Sequence, residues 1–285
     1  MSRIDASFKV CALFGFPARH SVGPALHNAA FEALNLPFVY VAHDVEPARL
    51  AEAFAGARAM DYRGLSITMP HKVAALALVD DVNDMARAIG CINTVVLQDG
   101  RLRGANVDGL GALRALQQAG ADPAGRRVLV LGSGGAARAL AITLGIAAKP
   151  AELTILGAIE DELAQLARDV AERTGCPVRA ELLSDATLTA GLGRAQILLH
   201  CTPVGMKPDC ERSLVPRDRL RCDLVVFDAV YNPRRTLLLR DAAAAGGRVI
   251  EGSEMFLGQA ALQFELWTGK AAPREIMRWV LDARL

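Results

Sequence analysis

Val128-Leu-Val-Leu-Gly-Ser-Gly-Gly-Ala-Ala-Arg-Ala139 decides how the chain is read. A short aliphatic run stops at a glycine cluster and passes into an Ala/Leu-rich helical pattern. That order predicts a strand, a tight turn and a helix N-terminus. Gly132 is placed to make the turn and Gly134 to admit a ligand against the backbone. Gly135-Ala136 is placed to let the helix pack close to the strand. The first N–H groups of such a helix, with its positive dipole end, suit a pyrophosphate. The third small residue comes early for a dinucleotide fingerprint, so a tight turn with no ligand is the competing reading.

Downstream the alternation continues. Strands are expected at 127–131, 152–156, 178–182, 197–201, 224–228 and 249–250, with helices at 135–146 and 161–174. Strands alternating with helices predict a parallel sheet with right-handed crossovers. Upstream, strands are expected at 8–14, 38–42, 64–68, 93–97 and 101–104, the last two joined by a Gln98-Asp99-Gly100 hairpin turn. Helices are expected at 24–34, 48–59, 73–78, 83–89 and 110–119, and again over 255–283 apart from an interruption at 269–273.

A length of 285 residues suits two domains better than one core. The break is expected at helix 110–119 or its flanks. The chain is 52% hydrophobic and only 5% aromatic, which suits an α/β enzyme. A net charge of +1 leaves no electrostatic footprint for nucleic acid or an anionic membrane. No apolar run is long enough to span a bilayer and no signal pattern opens the chain, so a cytoplasmic protein is expected. The six cysteines form no Cys-x-x-Cys pair, which predicts free thiols and no metal site.

Polar groups interrupt apolar segments at five places: His20-Ser21-Val-Gly-Pro24, Thr68-Met-Pro-His-Lys72, Cys91-Ile-Asn-Thr94, Asn106-Val-Asp-Gly109, and Gln259 within an apolar helix. Strand C-termini in open α/β sheets face the ligand crevice. A Ser, Thr, Lys, Asn, Asp and Gln converging there would make a pocket for a small polyhydroxylated acid. Singly, each has a plainer reading: Ser21 and Asp108 as helix caps, Asn93 as a turn residue, Lys72 as a solvated cation. Their joint occurrence with the glycine-rich turn carries the functional reading.

These segments resemble the shikimate dehydrogenase family along nearly the whole chain. The matching stretches are Gly15–Ser21 with Pro24, His27 and Asn28; Ser66–Lys72; Gly90–Thr94; Gly104–Gly109; Gly132–Ala136; Thr202–Met206; Asp228–Pro233; and Gly252 through Met255 to Gln259 and Trp267–Gly269. The resemblance implies an N-terminal α/β substrate domain (1–110, joined by the C-terminal helix 255–285) and a doubly wound, Rossmann-type nicotinamide domain (111–254). It implies hydride transfer between NAD(P) and a ring hydroxyl of shikimate or a related cyclic hydroxy acid, by a monomer or homodimer. Lys72 then matches the catalytic lysine and Asp108 its partner. Ser21, Thr68, Asn93, Asp108, Tyr231 and Gln259 would hold substrate. Gly132, Ser133, Gly134, Gly135, Ala136, Glu160, Thr202, Pro203, Val204, Val230, Gly252 and Met255 would line the cofactor.

The chain departs from the family pattern in three places. Gly23 stands where a second Ser or Thr follows Ser21, removing one hydroxyl from the carboxylate site. Such a bond to a charged group is worth about 1.5–3 kcal/mol. Poor use of shikimate, or use of an analogue such as quinate or an aminoshikimate, follows from that loss. Val107 replaces the usual Thr before the catalytic Asp, and His200 replaces a usual Asn before Thr202-Pro203. After the second strand of the nicotinamide domain, Ala158 and Glu162 occupy positions that are basic in NADP-using relatives. Glu160 is placed to accept from an adenosine ribose, and Glu160–Glu162 repel a 2′-phosphate, so NAD is expected over NADP. The competing reading of these acids is a first helical turn favoured by the dipole. A weakly active or non-catalytic binding protein on the same fold is the functional alternative. A methylene-tetrahydrofolate dehydrogenase shares the two-domain plan but not the motifs at both chain ends.

Overall fold

Alternation of aliphatic runs with amphipathic helices builds two sheets, each with its own core. The computed structural model describes residues 4–285. By internal contacts the chain divides into two units, one running to Val107 and resuming over Gln259–Arg284, the other spanning Asp108–Gly258.

The first unit is built from β1 (Lys9–Gly15), α1 (Gly23–Ala33), β2 (Phe38–Asp44), α2 (Leu50–Ala59), β3 (Gly64–Ile67), β4 (Asp81–Val82), α3 (Asp84–Ile89), β5 (Thr94–Gln98) and β6 (Arg101–Ala105). Its sheet order is β2-β1-β3-β5-β6-β4. Strands β1, β2 and β3 run parallel, while β5 is antiparallel to both β3 and β6. Asp99 and Gly100 close the β5–β6 hairpin with φ of 51° and 71°, the left-handed pair that a two-residue turn demands. The helix expected at 73–78 is one tight 3-10 turn at Ala74–Leu78, and the two-residue β4 is too short to show in the sequence pattern. Ser21 does not cap α1. The N-cap is Val22, with no side-chain cap, and Ser21 Oγ instead accepts the Gly23 N–H at 3.1 Å.

The second unit follows with α4 (Asp108–Gln118), β7 (Arg127–Leu131), α5 (Gly135–Ala147), β8 (Glu152–Gly157), α6 (Glu160–Thr174), β9 (Val178–Leu182), α7 (Asp185–Arg194), β10 (Ile197–His200), β11 (Val225–Asp228), α8 (Leu237–Ala244) and β12 (Arg248–Ile250). Its sheet is parallel throughout, in the order β12-β11-β10-β7-β8-β9. Strands on either side of β7 are wound in opposite directions, the arrangement of doubly wound dinucleotide folds. The chain ends in α9 (Gly252–Thr268) and α10 (Arg274–Asp282). Among the described residues, no helix is long and apolar enough to cross a membrane.

The contact division differs by a few residues from the cuts expected at 110/111 and 254/255. Asp108 already opens α4, and Gly109 brings that helix against Ala139 and Thr143 of α5, so closely that a methyl there would overlap Thr143 Oγ1. At the other cut, Gly258 lies against Gly111, which holds the first turns of α9 to the second unit. The rest of α9 belongs to the first.

There the α9 residues complete an aromatic cluster. Trp267 is fully buried, its indole N–H donates to Val95 O at 3.0 Å, and its ring lies 5.1 Å from His27 and 5.7 Å from Tyr40. His27 stacks on Tyr40 at 4.6 Å, and its Nδ1 has no hydrogen-bond partner. Burial pushes the His27 imidazole down to about 3, against the opposing effect of its hydrogen bond with Gln263. The folded state therefore keeps this ring neutral while the unfolded chain protonates it below about pH 6.5. The unfolded state binds the extra proton between those values, so stability falls as pH drops through that window. Between pH 7 and 5 this one group is expected to remove about 2 kcal/mol. Urea unfolding at both pH values should show that loss in the wild type and lose it in His27→Phe; an equal pH dependence in both would refute the assignment.

Candidate functional site

Sheet topology gathers the polar segments of the first unit at one end. β1 and β3 finish there, and β5, antiparallel to β3, begins there with Thr94 opposite Ser66. β6 returns to the same end, Ala105 opposite Thr94, and leads into Asn106 and Val107. Thr68, Lys72 and Asn93 thus emerge from neighbouring strand ends.

Short backbone bonds hold these segments. Thr68 N–H donates to Phe14 O at 3.0 Å, Ile67 N–H to Asn93 O at 2.8 Å, and Ile92 N–H to Lys72 O at 3.0 Å. Buried His71 donates its Nε2–H to Val45 O at 2.7 Å, so it anchors the loop that carries Lys72. Exposed His20 has no comparable seat. Asn93 is buried, and its side-chain oxygen accepts from Val107 N at 2.9 Å and from Thr94 Oγ1 at 2.8 Å. That oxygen is thus engaged twice within the first unit. Ser21, Thr68 and Lys72 are half-buried.

Sequence reasoning selected Gln259 on α9 and missed Gln263. Gln259 is half-buried. Gln263, one turn later and buried, accepts from Ser66 Oγ at 3.1 Å and donates to Thr94 Oγ1 at 3.1 Å and Asn93 O at 3.2 Å. The available signal was its i+4 spacing from Gln259, which places both on one helix face. At position 23 the fit is tight: a Cβ there would lie 3.1 Å from Ser21 Oγ, which would have to give by a few tenths of an ångström, and 3.5 Å from the Tyr40 hydroxyl.

The second unit carries the glycine-rich turn between β7 and α5. Gly132 has φ of 114°, and a Cβ would lie 3.0 Å from Cys201 O and 3.2 Å from Thr202 Cγ2. Only glycine fits that backbone and that approach. Gly134 is the N-cap of α5 without a side-chain cap, and both Gly134 and Gly135 would present a Cβ to open space. The first N–H groups of α5 have no intrahelical partner, which suits a phosphate. Close packing onto the strand is not the work of Gly135-Ala136, both of which are exposed; buried Ala137, Ala139 and Leu140 supply it. The helical repeat, which turns inward only from Ala137, explains the difference.

Beyond β8, residues 158–162 are exposed, and Glu160 opens α6. Glu162 accepts from Ser133 Oγ at 3.4 Å. No lysine or arginine occurs between Glu152 and Glu162. Arg138 on α5 is paired with Asp169 at 2.6 Å. Thr202, Pro203 and Val204 follow β10, with Val204 N–H donating to Thr202 Oγ1 at 3.3 Å. Val230 is buried just past β11, and exposed Tyr231 packs on Phe256 at 5.5 Å between ring centroids. Gly252 is buried and Met255 half-buried at the start of α9. Asp108 is buried at the start of α4; it belongs to the second unit and Lys72 to the first.

The family model described as the shikimate dehydrogenase substrate binding domain matches residues 13–95, and that of the shikimate 5'-dehydrogenase C-terminal domain matches 252–281. A shikimate dehydrogenase (NADP(+)) of Methanopyrus kandleri is 43% identical over 277 residues, covering 96% of this chain and 95% of its own. The shikimate 5-dehydrogenase structure from Listeria monocytogenes, in complex with shikimate and NAD, superposes with a TM-score of 0.94 at 34% identity and covers 99% of both chains. A quinate dehydrogenase from Corynebacterium glutamicum in complex with NAD is similar at a TM-score of 0.89 and 28% identity, covering 97% of this chain and 99% of its own.

Proposed function

The chain belongs to the shikimate dehydrogenase family, and from that premise we propose an NAD-preferring enzyme that oxidises a ring hydroxyl of shikimate or a close analogue. At the coarser level it is an oxidoreductase of CH–OH groups that uses NAD(P). The observation that carries the finer reading is the gathering of Thr68, Lys72 and Asn93 at one end of the first sheet.

Residues 1–110 with 255–285 act as the substrate domain and 111–254 as the cofactor domain. Lys72 takes the hydroxyl proton as the alcohol is oxidised, and Asp108 is the second catalytic group. Asn93, Thr68 and Gln259 bind ring hydroxyls. Ser21 takes the carboxylate, and Tyr231 is a further substrate-binding residue. When bound, the nicotinamide supplies the hydride acceptor. Gly132, Ser133, Gly134, Gly135 and Ala136 cradle its pyrophosphate, while Thr202, Pro203, Val204, Val230, Gly252 and Met255 line the rest. The open face at Gly134 and Gly135 and the uncapped start of α5 fit that role.

The NAD preference rests on charge. Glu160, Asp161 and Glu162 stand exposed after β8, where a 2′-phosphate would need a cation. The Methanopyrus relative carries NADP(+) in its name, and the Listeria structure holds NAD. Gly23 favours the second substrate reading, quinate or an aminoshikimate, because the carboxylate loses one donor.

Initial rates for shikimate and quinate oxidation, each with NAD and NADP, test the proposal in wild type and Gly23→Ser. NAD should be favoured by about tenfold or more in kcat/KM. Gly23 lacks a left-handed φ, so its backbone accepts a side chain. Gly23→Ser should lower the KM for shikimate by about tenfold through the restored hydroxyl. Faster rates with NADP would overturn the cofactor choice. A higher shikimate KM in Gly23→Ser would move the search to substrates with a bulkier group at that position. Binding without turnover for all pairs would leave the non-catalytic alternative.

A further inference from the structure

Behind Thr202, the second unit holds three buried polar residues, His200, Asp228 and Thr236, to which the reaction set out above gives no role. Strands β10 and β11 pair in parallel with His200 directly opposite Asp228. Their side chains meet with His200 Nδ1 2.8 Å from Asp228 Oδ1, and both are all but fully buried. On the other side of the ring, Nε2 lies 2.6 Å from Thr202 Oγ1. Asp228 also accepts the Val230 N–H at 3.0 Å and the Thr236 hydroxyl at 2.6 Å. Thr236 in turn caps α8, accepting from Leu239 N at 3.4 Å. The chain of bonds Thr202–His200–Asp228–Thr236 is therefore anchored in a helix at one end.

The other end lies beside the dinucleotide crevice. β10 is the neighbour of β7 at the point where the strand order reverses, which is where doubly wound sheets bind their ligands. Thr202 sits there against Gly132, its methyl 3.2 Å from where a Cβ at that glycine would be.

We infer that His200 is a positioning residue which fixes the Thr202 hydroxyl as an acceptor toward the bound dinucleotide. The inference rests on the cofactor reading above. Asp228 receives three donors and acts as acceptor, so the ring proton sits on Nδ1. In the neutral imidazole, Nε2 is then an acceptor, and Thr202 spends its only proton on it. The threonine oxygen also takes the Val204 N–H and keeps acceptor capacity alone for a ligand. A threonine hydroxyl without this partner gives or takes a hydrogen bond as the ligand requires. Held this way, it selects a donor on the dinucleotide, a ribose hydroxyl or a carboxamide N–H, and disfavours a phosphate oxygen. An Asn at position 200, usual in the family, reaches only as far as Nδ1, so this constraint on Thr202 comes from the histidine.

That difference in reach supplies the test. Asn keeps an amide atom near the Nδ1 position, and Gln keeps one near Nε2. Dissociation constants for NAD, or for NADP if it binds tighter, are measured for full-length wild type, His200→Asn, His200→Gln, Thr202→Val and the His200→Asn/Thr202→Val double variant. Shikimate KM and thermal midpoint are followed alongside. His200→Asn and Thr202→Val should each weaken dinucleotide binding by about fivefold to thirtyfold. The double variant should be no worse than either single one, and His200→Gln should retain most of the affinity. Additive losses in the double variant would overturn the inference, as would unchanged affinity in His200→Asn with only a lower thermal midpoint. A wild type that binds neither dinucleotide would instead refute the cofactor reading itself.

Discussion

Lys72→Ala is expected to lower kcat by about 10²–10⁴-fold, the range for loss of a positioned proton-transfer group. The loop that carries Lys72 is held by its backbone and by His71. Lys72 O accepts from Ile92 N at 3.0 Å, and the His71 ring is tied to Val45 O at 2.7 Å. Truncating the half-buried lysine side chain therefore leaves the scaffold in place. Dinucleotide affinity should stay within about twofold of wild type, because the glycine-rich turn proposed to hold the dinucleotide belongs to the other unit. Lys72→Arg separates charge from chemistry: guanidinium keeps the positive charge but does not release a proton at neutral pH. It should be nearly as inactive as Lys72→Ala. Steady-state rates with a folded-state check by circular dichroism decide the matter. Ordinary turnover in either variant would remove Lys72 from the mechanism.

Trp267→Ala is expected to cost about 3–5 kcal/mol of stability, the range for truncating a fully buried aromatic residue. Three contacts converge on this side chain and its backbone. The indole N–H satisfies Val95 O at 3.0 Å, Arg63 Nε donates to Trp267 O at 2.6 Å, and the ring packs against His27 and Tyr40. The indole also lies so close over Gly64 that a methyl there would overlap it. Alanine would leave a cavity and remove the indole hydrogen bond to Val95 O. The loss reaches the candidate site as well, because the same helix carries Gln259 and Gln263. Urea unfolding provides the measurement, and a change below about 1 kcal/mol would show that the cluster repacks.

Gln263 illustrates what local reasoning does not reach. It bridges Ser66, Asn93 and Thr94 from 169 to 197 residues away. Within its own segment it is one more polar residue in an apolar helix, as Gln259 is, and only Gln259 also falls in one of the motifs resembling the family. The same holds for α7, whose Thr and Gly residues blur its apolar repeat although Ser184 and Thr187 form a capping box. By contrast, Asp99-Gly100 was legible because a two-residue hairpin turn asks for left-handed backbone, a property of those two residues alone.

What the amino-acid order determined by itself was therefore local and periodic. Aliphatic runs ending in glycine or proline, and helices with one apolar stripe, specify the α/β alternation, the β7–α5 turn and the polar segments containing Thr68, Lys72, Asn93 and Asp108. Tertiary structure alone decided which of those segments share a sheet end, that Gln263 joins β3 to β5, and that His200 faces Asp228 across β10 and β11. It also decided the boundary between units, which follows the packing of Gly109 on α5 and Gly258 on Gly111. The physical reason is the same in each case. Strand register and helix contact are set by burial summed over residues far apart in the chain, and no single segment contains that sum.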